Sequence, residues 1–342
     1  MPLVSKSYYY FQRLHGGDAA GFEKDRDMTK SILILHLSDL HFGPNSRFAG
    51  SKPEVLSQKL FLAIEDVSSR IKIEESISLV IITGDIAEHS RKEEYAIASL
   101  FFKSLANKLK IDRFKFVFVP GNHDVSWTAC KHVEIDQQDQ GFTDEEFTTK
   151  INKIKFKNFK DFAEGFYGIP LEKRGRPINY ESYINNIDDL KLSIVSLNSC
   201  EIESHRKKDH IGFLSDDHAQ SLLSEWLSDK YDPYIKIIAL HHNPVPTVPV
   251  NVEQGMKHLE ALEKDKKLTK EDVERFASDA VGFEGHEKLR DISEQCQVQL
   301  VLHGHHHATD QDPWMWKDGM TYVLSAGSWG LDKLPHWSSV KT

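Results

Sequence analysis

Seven short aliphatic runs punctuate this chain, and each ends in polar residues. They are SILILHLSD (31–39), ISLVIITGD (77–85), FKFVFVPGNHD (114–124), LKLSIVSLNS (190–199), YIKIIALHH (234–242), VQLVLHGHHH (298–307) and TYVLSAGS (321–328). Runs this short that are apolar on both faces suit strands buried between layers. Helical periodicity fills several of the gaps. EVLSQKLFLAIEDVSSRIK (54–72) places Leu60, Ile64, Val67 and Ile71 on one face. KEEYAIASLFFKSLANKL (92–109) and SDDHAQSLLSEWLSDK (215–230) are patterned alike, and Ser215 before Asp216 and Asp217 reads as an N-cap with an acidic first turn. Strands that alternate with helices predict an α/β protein with right-handed crossovers.

A length of 342 residues leaves room for two domains or one elaborated domain. Residues 1–30 carry no sustained periodicity and read as a flexible tail, which puts the folded domain at 31–342. Two stretches break the alternation and read as insertions, at about 125–189 and 245–292. No apolar run approaches the ~18–20 residues that cross a bilayer, and the N-terminus lacks the apolar core of a secretory signal. No membrane partner is therefore expected. Cys130, Cys200 and Cys296 are odd in number and widely spaced, which suits reduced thiols in the cytoplasm. The net charge of −9 argues against a broad nucleic-acid-binding surface, though not against a local basic patch.

Chemistry-bearing residues gather where the runs stop. The first ends in Asp39-Leu40-His41, the second in Gly84-Asp85 and the third in Gly121-Asn122-His123-Asp124. The fifth ends in His241-His242 and the sixth in Gly304-His305-His306-His307. In an α/β sheet the loops beyond the carboxyl ends of strands converge on one crevice. Five strand ends thus deliver carboxylates, an amide and imidazoles to one place, a donor set suited to Mn, Fe, Zn or Ni. Side chains at i and i+2 leave an extended chain on the same side, so Asp39 is expected to point with His41, and His305 with His307. His303 lies within its strand and reads as a core residue.

These five motifs, in this order, resemble the calcineurin-like metallophosphoesterase family over residues 31–330. The resemblance implies a four-layer αββα sandwich, in which two mixed β-sheets pack together between helices. It also implies two divalent metal ions, with Mn²⁺ the expected pair, and hydrolysis of a phosphate ester by water that the metals activate. Carried over by motif, one metal takes Asp39, His41, Asp85 and His307. The other takes Asp85, Asn122, His241 and His305, with Asp85 bridging. His241 fits the family pattern better than its neighbour His242, which joins Asn122, His123 and Arg206 as an expected substrate contact. His123 is expected to act on the leaving group, and Asp124 to orient His123 or hold its proton.

Two basic patches bear on the substrate. Lys150, Lys153, Lys155, Lys157 and Lys160 lie beside Phe156, Phe159 and Phe162, and Arg206, Lys207 and Lys208 follow the fourth run. They suit either a phosphate-rich substrate held by charge and stacking or a helix that packs its phenylalanines and solvates its lysines. The leading expectation is a phosphodiesterase acting on nucleotides or nucleic acid, including a nuclease. The alternatives are a phosphomonoesterase or phosphoprotein phosphatase, and a gated effector domain. Members of the family usually continue into further strands after a segment like SAGS (325–328). An end at Thr342 therefore raises the expectation of a truncated domain with a further domain or partner beyond it.

Overall fold

Apolar residues in the strands alternate between two destinations, and this alternation defines the layers. The computed structural model describes residues 11–14, 32–46, 48–206, 209–245, 283–305, 311–317 and 319–327. A first sheet holds β1 (Phe11–Leu14), β2 (Ile32–Leu37), β3 (Ile77–Thr83) and β4 (Phe116–Val119) in that order. β1 is antiparallel to β2, and the others run parallel. A second, seven-stranded sheet is built around four parallel strands: β7 (Leu192–Ser196), β9 (Ile235–Ala239), β11 (Leu300–His303) and β13 (Gly319–Ser325). Its antiparallel edges are β12 (Gln311–Trp316) on one side and β6 (Tyr183–Ile187) with β5 (Arg176–Pro177) on the other.

Ile32, Ile34, Leu79, Ile81, Val117 and Val119 of the first sheet meet Leu192, Ile194, Ile237, Ala239, Leu300 and Leu302 of the second in one buried cluster. The intervening residues face outward, as the two-residue period of a strand requires. Leu33, Leu35, Val80, Ile82, Phe116 and Phe118 pack under α1 (Pro53–Ile71), α2 (Lys92–Leu109) and α5 (Lys157–Tyr167). Val195, Leu197, Ile238, Leu240 and Val301 pack under α7 (Asp216–Trp226) and α8 (His286–Gln295). The result is helix, sheet, sheet, helix, the expected four-layer sandwich. Each fully buried Leu, Ile or Phe contributes about 1.5–3 kcal/mol, so strand ends fixed by such a core have little freedom to drift.

Three sequence expectations need correction. Phe11–Leu14, expected to lie in a tail, forms an edge strand on β2, whose unpaired backbone groups favour an added strand. The stretch 125–189 is not wholly an insertion. After α3 (Trp127–Gln140), α4 (Asp144–Asn152), α5 and α6 (Leu171–Arg174) it contributes β5 and β6 to the second sheet. Asn185 and Asn186 mask β6 in the sequence, and Asn185 is accommodated because its amide donates to the Tyr183 and Ile194 carbonyls. α8, placed in the second insertion, instead buries Leu289 and Ile292 on the sheet. A short parallel ladder of β8 (Gly212–Phe213) and β10 (Phe283–Glu284) leads into it.

Candidate metal centre

The loops after β2 and β3 are zipped together by their backbones. Asp39 N–H donates to the Gly84 carbonyl, His41 N–H to Asp85 and Phe42 N–H to Ile86. Asp39, His41 and Asp85 all have positive φ, at 54°, 46° and 51°, and His305 has φ 70°. Left-handed backbone costs a non-glycine residue of order 1–3 kcal/mol, and here it falls on four of the expected ligands. This revises the parity argument: Asp39 and His41 converge through two left-handed turns, not through an extended chain. Gly84, at φ 90°, could not carry a side chain, because a Cβ would lie 2.5 Å from His241 Nδ1. At Gly121 a Cβ would fall on the Asp85 carboxylate.

Asp85 sits at the middle of the cluster and is buried. Its Oδ2 lies 3.6 Å from His41 Nε2 and its Oδ1 lies 3.4 Å from His241 Nε2, so its two oxygens face different imidazoles. Oδ1 also accepts from His123 N–H. Potential ligand atoms of His41, Asp85 and His123 lie within 4.8 Å of one another, as do those of Asp39, Asp85 and His241. His305 joins them: its N–H donates to Asp39 Oδ2, and its Nδ1 lies 3.2 Å from His241 Nε2. Burial opposes charge on Asp85, yet His241, His123 and His41 hold its carboxyl below the ordinary value.

The donor chemistry fits a divalent cation. His241 Nδ1 lies 2.8 Å from the Thr83 carbonyl, which can only accept, so Nδ1 carries the proton. Burial lowers the His241 pKa, keeping the ring neutral and Nε2 bare. That bare nitrogen lies 2.8 Å from Asn122 Oδ1, a second acceptor. Two lone pairs facing each other, beside the carboxylates, is an arrangement that a cation resolves. A carbonyl holding the far nitrogen of a histidine is also the usual support of a metal ligand.

Three expected site residues behave otherwise. Asp124 neither holds nor orients His123. It is buried, accepting from Ile86 and Ala87 N–H on one loop and Gly121 N–H on another, while Tyr95 Oη donates to it. Burial and the charge of Asp85 push its carboxyl up to about 7, against the pull of these donors. His123 is oriented instead by its own Nδ1, which donates to the Glu88 carbonyl at 2.7 Å. Arg206 turns away onto α3 and α4, where it bonds Glu134, Gln137 and Asp144 and lies over the Phe147 ring. His242 is buried behind the cluster, with Nδ1 3.0 Å from Ser199 Oγ and its ring 4.7 Å from that of His305. His303 is buried, in keeping with a core role. His306, His307, Lys207 and Lys208 lie outside the described residues.

The basic-aromatic stretch resolves toward packing. Phe156, Phe159 and Phe162 are buried, Lys157 pairs with Asp161, and Lys160 pairs with Glu172. Lys155 is 1% exposed and donates to the carbonyls of Cys200, Glu201 and Glu203. Sequence reading did not anticipate this hub, nor the strap in which Asn45 donates to the Glu88 carboxylate and ties the first two loops.

A model of the calcineurin-like phosphoesterase family matches residues 32–309, which takes in every motif described above. The chain belongs to this family. Calcineurin-like phosphoesterases are metal-dependent hydrolases, and the clustered donors are those a member requires. No curated protein matches the chain in sequence. Among solved structures, the sulfate thiohydrolase SoxB of Thermus thermophilus in complex with glycerol is similar at 13% identity and a TM-score of 0.36. The match covers 86% of this chain and 51% of that one, so the chain spans about half the length of that relative. Among the described residues no helix is long and apolar enough to cross a membrane.

Proposed function

We propose that this calcineurin-like phosphoesterase hydrolyses phosphodiester bonds of nucleotides or nucleic acid. The observation that carries the reading is Asp85, whose two oxygens face His41 on one side and His241 on the other. Asp39, His41 and Asp85 would hold one cation, with His307 completing the set, and Asp85, Asn122, His241 and His305 the other. The mixed oxygen and nitrogen donors favour Mn²⁺, with Fe, Zn and Ni as competitors. When bound, two such ions polarise phosphoryl oxygens and make water a competent nucleophile near neutral pH.

The chain supplies the rest. Neutral His241, with its proton committed to Thr83, keeps its lone pair directed at the cluster. Asn122 offers its amide beside it. His123, anchored through Nδ1 to the Glu88 carbonyl, would protonate a departing oxygen from its other nitrogen when the ring carries its second proton. Of the basic residues the sequence raised near the substrate, Arg206 is committed to α3 and Lys155 to buried carbonyls. A centre without them suits the single negative charge of a diester better than the dianion of a monoester. The buried, unbridged cysteines support a cytoplasmic setting.

The test is hydrolysis of bis(p-nitrophenyl) phosphate beside p-nitrophenyl phosphate, on protein stripped of metal and then reloaded with Mn²⁺. Diester cleavage restored by the metal is the expected result. Preference for the monoester would overturn the diester assignment, and turnover unaffected by stripping would overturn the metal dependence.

A further inference from the structure

Past His123 the chain enters α3, whose first residue is Trp127. The indole is 38% exposed, although it stands beside a buried polar centre. It lies on the imidazole of His210, with ring centroids 4.8 Å apart and planes at 19°. Its centroid is 6.5 Å from that of His123, with planes at 28°.

Both rings are held in place. His210 Nε2 lies 2.9 Å from the Ser204 carbonyl and 3.4 Å from Glu203 Oε1. The loop that carries His210 is tied to the helix that carries Trp127, because His205 and Arg206 both bond Glu134. Lys155 pins the same loop from below through the Cys200 and Glu203 carbonyls. A flat aromatic surface fixed this way can receive a planar group without first being ordered, which is how preorganised sites gain affinity.

We propose that Trp127 and His210 form the stacking platform for the base of a nucleotide substrate whose phosphate lies at the metal cluster. The inference rests on the nucleotide reading above and deepens it. His123 faces the phosphate and Trp127 stands one ring beyond it, a succession that matches phosphate, sugar and base. Indole suits this task because every base presents a π-face, so recognition would tolerate different bases.

The experiment is calorimetric titration of the full chain loaded with Mn²⁺, using inorganic phosphate, ribose 5-phosphate and adenosine 5′-monophosphate as probes. The nucleotide should bind about 10- to 100-fold more tightly than ribose 5-phosphate, the gain expected from one stacked base. Trp127→Ala should abolish that advantage while leaving the affinity for ribose 5-phosphate unchanged, which also shows that the variant is folded. Trp127→Phe should keep most of it. Equal affinities of the parent for the two sugar phosphates, or an advantage that survives Trp127→Ala, would overturn the platform alone. Failure of the metal-loaded chain to bind inorganic phosphate would overturn the centre and the platform with it.

Discussion

Replacing Asp124 with alanine should destabilise the protein more than replacing any expected metal ligand in the metal-free state. The carboxylate is fully buried and accepts from Gly121 N–H at 2.9 Å, Ala87 N–H at 3.1 Å and Ile86 N–H at 3.2 Å, with the Tyr95 hydroxyl donating at 2.8 Å. Alanine strands three backbone donors that cannot rotate toward water. A buried donor left without a partner costs about 1–3 kcal/mol, so three give about 3–9 kcal/mol, and partial relaxation of the loops puts the expectation at about 4 kcal/mol. The tyrosine hydroxyl can turn, so Tyr95→Phe should cost only about 1 kcal/mol. In the double variant the two losses should be less than additive, because they share one interaction. The assay is urea denaturation followed by circular dichroism, with the metal removed so that ligand binding does not mask the change. A pH of about 8 keeps the carboxyl ionised, above its value of about 7. An Asp124→Ala midpoint equivalent to a loss under about 1 kcal/mol would refute the clamp and return Asp124 to the reaction.

Two further perturbations test the frame around the centre. Burial drops the His36 pKa from 6.5 to about 3 against the pull of Asp39, so the folded ring stays neutral while the unfolded one gains a proton. Its contribution is therefore present above pH 6.5 and lost as the pH falls, amounting to about 2 kcal/mol by about pH 5. His36→Gln should flatten the stability of metal-free protein over that interval, and an unchanged slope would show that His36 is not the group responsible. Lys155→Met keeps the length of the side chain but removes the donor to three carbonyls of the 200–203 loop. It should raise proteolytic cleavage in residues 200–212 by about 10-fold or more while α1 and α2 remain protected. Uniform sensitivity along the chain would refute a local role.

The layered fold was largely legible because its signal is periodic. Strands buried between sheets must be apolar on both faces, and all seven runs form strands that contribute to one inter-sheet cluster. The edges were less legible. β6 carries two asparagines and β1 is four residues long, so neither shows the aliphatic density that marks a central strand. At the centre, the residue types at strand ends were readable, but their aim was not. Asp39 and His41 meet through positive φ values that no alternation rule anticipates. Asp124 looked catalytic because it follows His123 in sequence. The 3-10 turn over Asn122–Asp124 carries the two side chains to different neighbours, one to Glu88 and the other to the backbone of the β3 loop. Arg206 and Lys155 looked available for the same reason: sequence shows charge, but not the carboxylates and carbonyls that fold against it.

The most direct test of the account is the metal content of the chain, measured by plasma mass spectrometry after Mn²⁺ loading and desalting, for the parent, Asp85→Ala and His123→Ala. The parent should retain two ions per chain and His123→Ala the same number, since the proposed role of His123 is on the leaving group and not on a metal. Asp85→Ala should retain neither, because the residue facing both His41 and His241 is gone. A parent that holds no metal, or an Asp85→Ala chain with its complement intact, would contradict the shared centre. Loss of metal in His123→Ala would make that histidine a ligand instead of a proton donor.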